Sequence, residues 1–155
     1  MSRTLVTYFS ASGVTVGKAK SLAEAAGADW YEIKPEVPYT SADLNWMDKR
    51  SRSSVEMNDK SSRPAIVKDG VNISDYDTIF IGFPIWWYTA PTIINTFIEA
   101  YDFGGKTIIP FATSGSSGVE KCVKDLQATY PNLAIKRGKL LNGSVNKDTL
   151  KGWID

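Results

Sequence analysis

Apolar residues along this chain fall into short runs that alternate with segments of helical spacing. Thr4-Leu5-Val6-Thr7-Tyr8-Phe9 opens the series, a β-branched and aromatic run of the kind found in strands covered on both faces. From Val14 to Ala26, the residues Ala19, Leu22, Ala23 and Ala26 recur at i, i+3, i+4 and i+7, which predicts a helix ended by Gly27. Trp30-Tyr31-Glu32-Ile33 predicts a second short strand, stopped by Pro35 and Pro38. The most continuously apolar run, Thr78 to Phe83, predicts the central strand of a parallel sheet. Pro91 then fits the first position of a helix whose buried stripe is Ile93, Ile94, Phe97, Ile98 and Tyr101, with Gly104-Gly105 beyond it. Thr107 to Ala112 reads as a further strand and Val119 to Thr129 as a further helix. A broken last strand falls within Ala134 to Leu141, and a short helix is expected over Lys147 to Ile154.

Residues 36 to 74 interrupt this rhythm. They are rich in Ser, Asp, Lys and Arg, and only Ala42 to Met57 has the makings of a helix, with Leu44, Trp46 and Met47 as its anchors. The expectation is a solvated excursion, with a flank of the binding site as the functional alternative. Elsewhere strand and helix alternate strictly. That predicts an α/β fold, a doubly wound five-stranded parallel sheet in the order 2-1-3-4-5 with helices on both faces, in one domain over residues 1–155. Ligands of such sheets sit outside the carboxyl ends of the strands, at the switch between strands one and three.

Composition narrows the chemistry. With 43% hydrophobic and 23% charged residues the chain has the make-up of a globular domain. Its 18 Lys and Arg against 17 Asp and Glu leave a net charge of +1, without a basic run that would argue for nucleic acid as a partner. The longest apolar stretch, Ile79 to Tyr88, is far short of the roughly 20 residues that span a bilayer and contains Gly82 and Pro84. Cys122 is the only cysteine and the strand pattern follows Met1-Ser2-Arg3 directly, so a cytoplasmic location is expected. Histidine is absent, which excludes imidazole-based triads and acid–base catalysis by histidine. Cys122 shares an apolar helical face with Val119 and Leu126 and is expected to be a buried structural thiol. No residue is assigned to catalysis or to a metal.

Three loops remain as candidates, and the predicted topology puts all of them at one edge of the sheet. Ser10-Ala11-Ser12-Gly13-Val14-Thr15 follows strand one and opens straight into a helix, so its hydroxyls and free N–H groups suit either an N-cap or a phosphate. Pro84-Ile85-Trp86-Trp87-Tyr88-Thr89-Ala90 follows strand three and carries three consecutive aromatics, which suit a planar ring. Thr113-Ser114-Gly115-Ser116-Ser117-Gly118 follows strand four and allows close backbone approach. Two adjacent Trp side chains in an extended segment cannot both be buried the same way, so one of Trp86 and Trp87 is expected to face ligand or solvent.

In these motifs the whole chain resembles the flavodoxin family, and more narrowly its short bacterial-type members. The resemblance rests on the hydroxyl-rich pattern at Ser10, Ser12, Gly13 and Thr15, on Pro-Ile-Trp-Trp at Pro84 to Trp87, and on Thr-Ser-Gly-x-Ser-Gly at Thr113 to Gly118. What it implies is noncovalent FMN. Ser10, Ala11, Ser12, Gly13, Val14 and Thr15 would hold the 5′-phosphate. Pro84, Ile85, Trp86, Trp87 and Tyr88 would lie along the isoalloxazine, and Thr113, Ser114, Gly115 and Gly118 would approach its other edge. The resemblance further implies electron transfer with redox partner proteins, a reductase donor and an acceptor enzyme. The alternatives are an FMN-dependent NAD(P)H/quinone oxidoreductase acting on a small quinone-like acceptor, and a non-redox binding module on the same fold. Two features depart from the family. The chain is near neutral where electron-carrying flavodoxins are strongly acidic, so bulk charge is not expected to dock a partner. No glycine lies between Pro84 and Pro91, so a peptide flip needing φ > 0 beside the ring is opposed by about 1 kcal/mol or more, and the neutral semiquinone is expected to be sparse.

Overall fold

The computed structural model describes residues 4–9, 14–37, 39–45, 47–59, 61–67, 72–85, 89–113, 119–136 and 138–140. Strands β1 (Thr4–Tyr8), β2 (Asp29–Glu32), β3 (Thr78–Pro84), β4 (Thr107–Thr113) and β5 (Ala134–Ile135) pair in the order β2-β1-β3-β4-β5, every pairing parallel. Helices α1 (Val14–Ala26), α2 (Arg52–Asn58), α3 (Thr92–Ala100) and α4 (Glu120–Thr129) accompany them, with a 3₁₀ turn at Ile73–Asp75. The doubly wound parallel sheet expected from the alternating pattern is therefore the observed fold.

Period-two alternation in the central strands sends side chains to two separate apolar layers. Leu5, Ile79, Ile81, Phe83, Ile108 and Ala112 meet Ile93, Ile94, Phe97 and Ile98 of α3 and Cys122 and Leu126 of α4 on one face. Val6, Tyr8, Phe80 and Phe111 meet Ala19, Leu22, Ala23 and Ala25 of α1 on the other. Burying each large apolar side chain here contributes about 1.5–3 kcal/mol. Strand β3 is covered on both sides, which is why its sequence reads as an unbroken apolar run. Gly27 adopts φ +61° just past α1, as its sequence position predicts.

The broken last strand has a physical cause. Lys136 N–H donates to the Ile108 carbonyl at 2.8 Å, but Pro110, two residues on along the same edge, has no N–H to give. Pairing resumes only at β6 (Lys139–Leu140), which lies against Phe111 and Ala112. Gly138 fills the gap, because a Cβ there would stand 2.7 Å from the Pro110 carbonyl oxygen.

Three local expectations are corrected. Strand β2 starts at Asp29 and ends at Glu32, one residue earlier than its apolar content suggests, because its register is set by pairing with Leu5 to Tyr8. Pro91 is the N-cap of α3 and not its first helical residue, with ψ 147° extended and Thr92 starting the helix. In the excursion, Leu44 and Met47 do not anchor a helix: turns occupy Ser41 to Leu44, Met47 is 73% exposed, and α2 begins only at Arg52, capped by the Ser51 hydroxyl. Trp46 and the closing helix expected over Lys147 to Ile154 lie outside the described residues.

The excursion is itself organised. An antiparallel bridge between Pro35 and Ile66 closes its base, with Glu36 N–H to Ala65 O at 2.9 Å and Val67 N–H to Lys34 O at 2.8 Å. Arg63 then ties it to Glu99 of α3 at 2.9 Å. Around α2 its buried residues are polar, Ser51, Ser53, Ser54 and Glu56, so no apolar pattern marks that helix in the sequence.

One glycine in the sheet is there for space. Gly82 on β3 stands opposite Phe111 on β4, and a Cβ at Gly82 would fall 2.1 Å from the Phe111 ring, which is fully buried. Gly82→Ala is expected to lower stability by about 1–3 kcal/mol through overpacking, measured by urea denaturation. An unchanged midpoint would mean that the Phe111 ring has room to move.

Candidate functional site

The carboxyl ends of β1, β3 and β4 lie side by side, and Thr113 joins the segments that leave them. Its carbonyl accepts from the Ile85 N–H at 2.9 Å, fixing the chain as it leaves β3. Its hydroxyl shares a 3.0 Å hydrogen bond with the hydroxyl of Thr15, the second residue of α1, 98 positions away in sequence. Both threonines are buried, at 1% exposure for Thr15 and 5% for Thr113. A buried hydroxyl without a partner is costly, so this bond constrains where α1 begins relative to β4. Phe9 continues the β1–β3 ladder past the edge, donating its N–H to Gly82 O at 2.8 Å.

Of the residues expected to form the site, Thr15, Pro84, Ile85 and Thr113 are thus brought together, and Val14 is the first residue of α1. Ser10, Ala11, Ser12, Gly13, Trp86, Trp87, Tyr88, Ser114, Gly115 and Gly118 lie outside the described residues. The first turn of α1 carries no acidic side chain, so nothing there competes with an anion for the positive end of the helix. Hydroxyls, helix N–H groups and a missing carboxylate form a donor set that fits a phosphate ester.

Two clusters that sequence reasoning did not single out flank these strand ends. At the far end of the second loop, the Thr89 hydroxyl donates to Asp125 Oδ2 of α4 at 2.6 Å, and Lys121 Nζ meets the same oxygen at 2.8 Å. Only the i, i+4 spacing of Lys121 and Asp125 was visible in the sequence; nothing local pointed to Thr89. On the excursion, the Tyr39 ring packs edge-on against Phe9 with centroids 5.5 Å apart. Its hydroxyl donates to Glu56, and the Arg52 guanidinium lies 3.8 Å from the ring centroid while bonding Glu56 at 3.0 Å. Burial, and after it the hydrogen bond to Glu56, pushes the Tyr39 phenol far above its ordinary range, so it remains a proton-bearing donor. The excursion is therefore a packed flank of the carboxyl edge and not a wholly solvated loop.

Cys122 is fully buried on α4, as its apolar helical face predicts. Burial first, and the Asp125 charge second, push its thiol up to about 11 from an ordinary value of 9.0. Such a thiol is a poor nucleophile. Among the described residues no group of His, Cys, Asp and Glu could hold a metal ion, and no helix is long and apolar enough to cross a membrane.

Two outcomes follow from these contacts. Thr113→Val strands the buried Thr15 hydroxyl and is expected to cost about 1–3 kcal/mol, while Thr15→Val added to it costs little more. Urea denaturation of the two single variants and the double variant measures that coupling, and strict additivity would show that the bond carries no energy. For Cys122, the folded state holds the thiol proton more tightly than the unfolded chain, so its contribution is complete below pH 9.0 and is lost as pH rises towards about 11. The stability difference between wild type and Cys122→Ala should shift in that window and stay flat below it.

The comparisons with known proteins agree with this architecture. No functionally curated protein matches the sequence. Among solved structures, a candidate flavoprotein from Bacteroides eggerthii is 52% identical with a TM-score of 0.96, over 99% of this chain and 96% of that one. A second candidate flavoprotein, from Bacteroides uniformis, is 56% identical with a TM-score of 0.94, over 99% and 97%. A flavoprotein from Lactobacillus acidophilus, solved in complex with FMN, shares the fold at 20% identity and a TM-score of 0.75, over the full length of both chains. The family model described as flavodoxin matches residues 3–155, and with the parallel sheet in the order β2-β1-β3-β4-β5 it establishes that this chain belongs to the flavodoxin family.

Proposed function

We propose that this chain is a single domain that binds FMN noncovalently at the carboxyl edge of its sheet and carries electrons between a reductase and an acceptor enzyme. The observation that supports it best is the pair of hydrogen bonds at Thr113, which draw the starts of α1 and of the second loop to the end of β4. Membership of the flavodoxin family and the FMN complex of the Lactobacillus acidophilus relative support the same cofactor. Bound there, FMN supplies the electron chemistry.

The work of the chain's own residues is to hold and orient. In this reading Ser10, Ala11, Ser12, Gly13, Val14 and Thr15 surround the 5′-phosphate. Either hydroxyl can donate in the Thr15–Thr113 bond, and with Thr113 as donor the Thr15 proton is left for a phosphate oxygen. Pro84, Ile85, Trp86, Trp87 and Tyr88 lie along the ring, and Thr113, Ser114, Gly115 and Gly118 approach its other edge. A cytoplasmic carrier exchanging electrons with soluble partners needs nothing more from this site.

One observation favours a second reading. The Tyr39–Glu56–Arg52 cluster packs on Phe9 and gives the carboxyl edge a firm flank with a protonated phenol, as a pocket for a small quinone-like acceptor would need. That reading is an FMN-dependent NAD(P)H/quinone oxidoreductase. The purified protein should turn yellow on reconstitution with FMN and, for the carrier, stay yellow when NADPH is added anaerobically without a reductase. Rapid bleaching by NADPH would establish the oxidoreductase instead, and a protein that takes up no FMN would be a non-redox binding module.

A further inference from the structure

The first residue of α3 carries a polar group that the fold leaves unsatisfied. Thr92 is 6% exposed, and its hydroxyl is buried without a hydrogen-bond partner among the described residues. Such a group is destabilising on its own, so its presence needs an explanation. The backbone beside it is in a similar position. Pro91, the N-cap, makes no side-chain hydrogen bond, and Ile94 N–H donates to Pro91 O at 3.0 Å, so the N–H groups of Thr92 and Ile93 lie ahead of the helical ladder. No acidic side chain in this first turn offsets the positive end of the helix.

Thr92 also forms part of the wall of a cleft of about 390 Å³, a size that suits a small molecule. Met57 of α2, Ala90, Asn95, Lys121 and Asp125 line it with Thr92. The Lys121 ammonium is 59% exposed and binds Asp125 Oδ2 at 2.8 Å, which uses one of its three N–H donors. That same Asp125 oxygen accepts from the Thr89 hydroxyl at 2.6 Å, so the one carboxylate of the wall is engaged on its own side. What the cleft offers a ligand is therefore donors, namely a hydroxyl, helix N–H groups and an ammonium, beside the apolar surface of Met57 and Ala90.

We propose that this cleft is a binding site for a small organic carboxylate. Its carboxylate group meets the Thr92 hydroxyl and the start of α3, with Lys121 as the counter-charge, and its apolar body lies against Met57 and Ala90. The site is separate from the three loops of the carboxyl edge and does not depend on the flavin reading. A hydroxyl that the core merely tolerated would behave differently, since its removal would stabilise the chain and leave carboxylates unaffected.

The test titrates the full chain with sodium acetate and with sodium benzoate at constant ionic strength, read by backbone amide NMR shifts, with sodium chloride as the control. Both carboxylates are expected to shift the Thr92 and Ile93 N–H signals saturably, benzoate about tenfold more tightly than acetate because its ring meets Met57 and Ala90. Benzamide keeps the shape and loses the charge, and should bind about tenfold more weakly than benzoate. Thr92→Val should weaken benzoate about tenfold while the urea midpoint holds or rises, because the hydroxyl it removes has no partner in the fold. Lys121→Met, at an exposed position, should weaken benzoate about threefold. Absence of saturable shifts with both carboxylates overturns the site, and so do shifts that chloride alone reproduces. Wild-type benzoate affinity in Thr92→Val overturns it as well. If Thr92→Val fails to fold, Lys121→Met and benzamide decide, and binding equal to that of wild type with benzoate in both overturns the site. The titration is repeated with excess FMN: shifts that persist support a separate site, and shifts that vanish place benzoate at the flavin edge and overturn it.

Discussion

Two hydrogen bonds at one residue set the geometry on which the carboxyl edge depends. Thr113 ends β4, and it uses its carbonyl to hold Ile85 and its hydroxyl to hold Thr15. The first contact is with the chain leaving β3, the second with the start of α1. Because both hydroxyls are withdrawn from water, neither can trade this partner for solvent. A parallel sheet aligns strand ends but leaves each following loop to find its own path. Thr113 removes part of that freedom for two loops besides its own.

The layers behind the edge make such a junction possible. Strand β3 is buried on both faces, and Gly82 gives the Phe111 ring its space on the α1 side. β4 therefore sits tightly against β3 up to the Pro84–Thr113 pair. On the outer side β4 cannot pair continuously, since Pro110 lacks the donor its neighbour would use, and the fifth position splits into β5 and β6. The described sheet is thus continuous to the carboxyl ends of β1, β3 and β4 and interrupted only at its rim.

Polar contacts do outside the sheet what apolar ones do inside it. The excursion between β2 and the 3₁₀ turn is fastened by the Pro35–Ile66 bridge, the Arg63–Glu99 pair and the Tyr39–Glu56–Arg52 cluster. Thr89, Asp125 and Lys121 do the same for the end of the second loop. Apart from the backbone bridge, each includes a charge-assisted bond between separate segments of the chain. Such sets give direction and register at modest net energy, and this suits parts of a protein that must be held beside a site without forming its core.

The sequence alone determined the elements and their order. Apolar runs of period two and stripes of period three to four are local, and strict strand–helix alternation admits few topologies, so the sheet order and the buried Cys122 were legible. Thr15 and Thr113 were legible as members of separate motifs. Their bond to each other was not, because no local pattern records a contact across 98 residues. Tertiary structure alone decided the rest. Pairing with β1 set the bounds of β2, and a missing donor at Pro110 divided the last strand. The excursion's helix moved to Arg52, where Ser51 bonds Ser54 and Tyr39 bonds Glu56. Hydrophobic periodicity announces what water expels. It is silent on polar groups that are buried because they have found partners, and those groups shape the surroundings of this site.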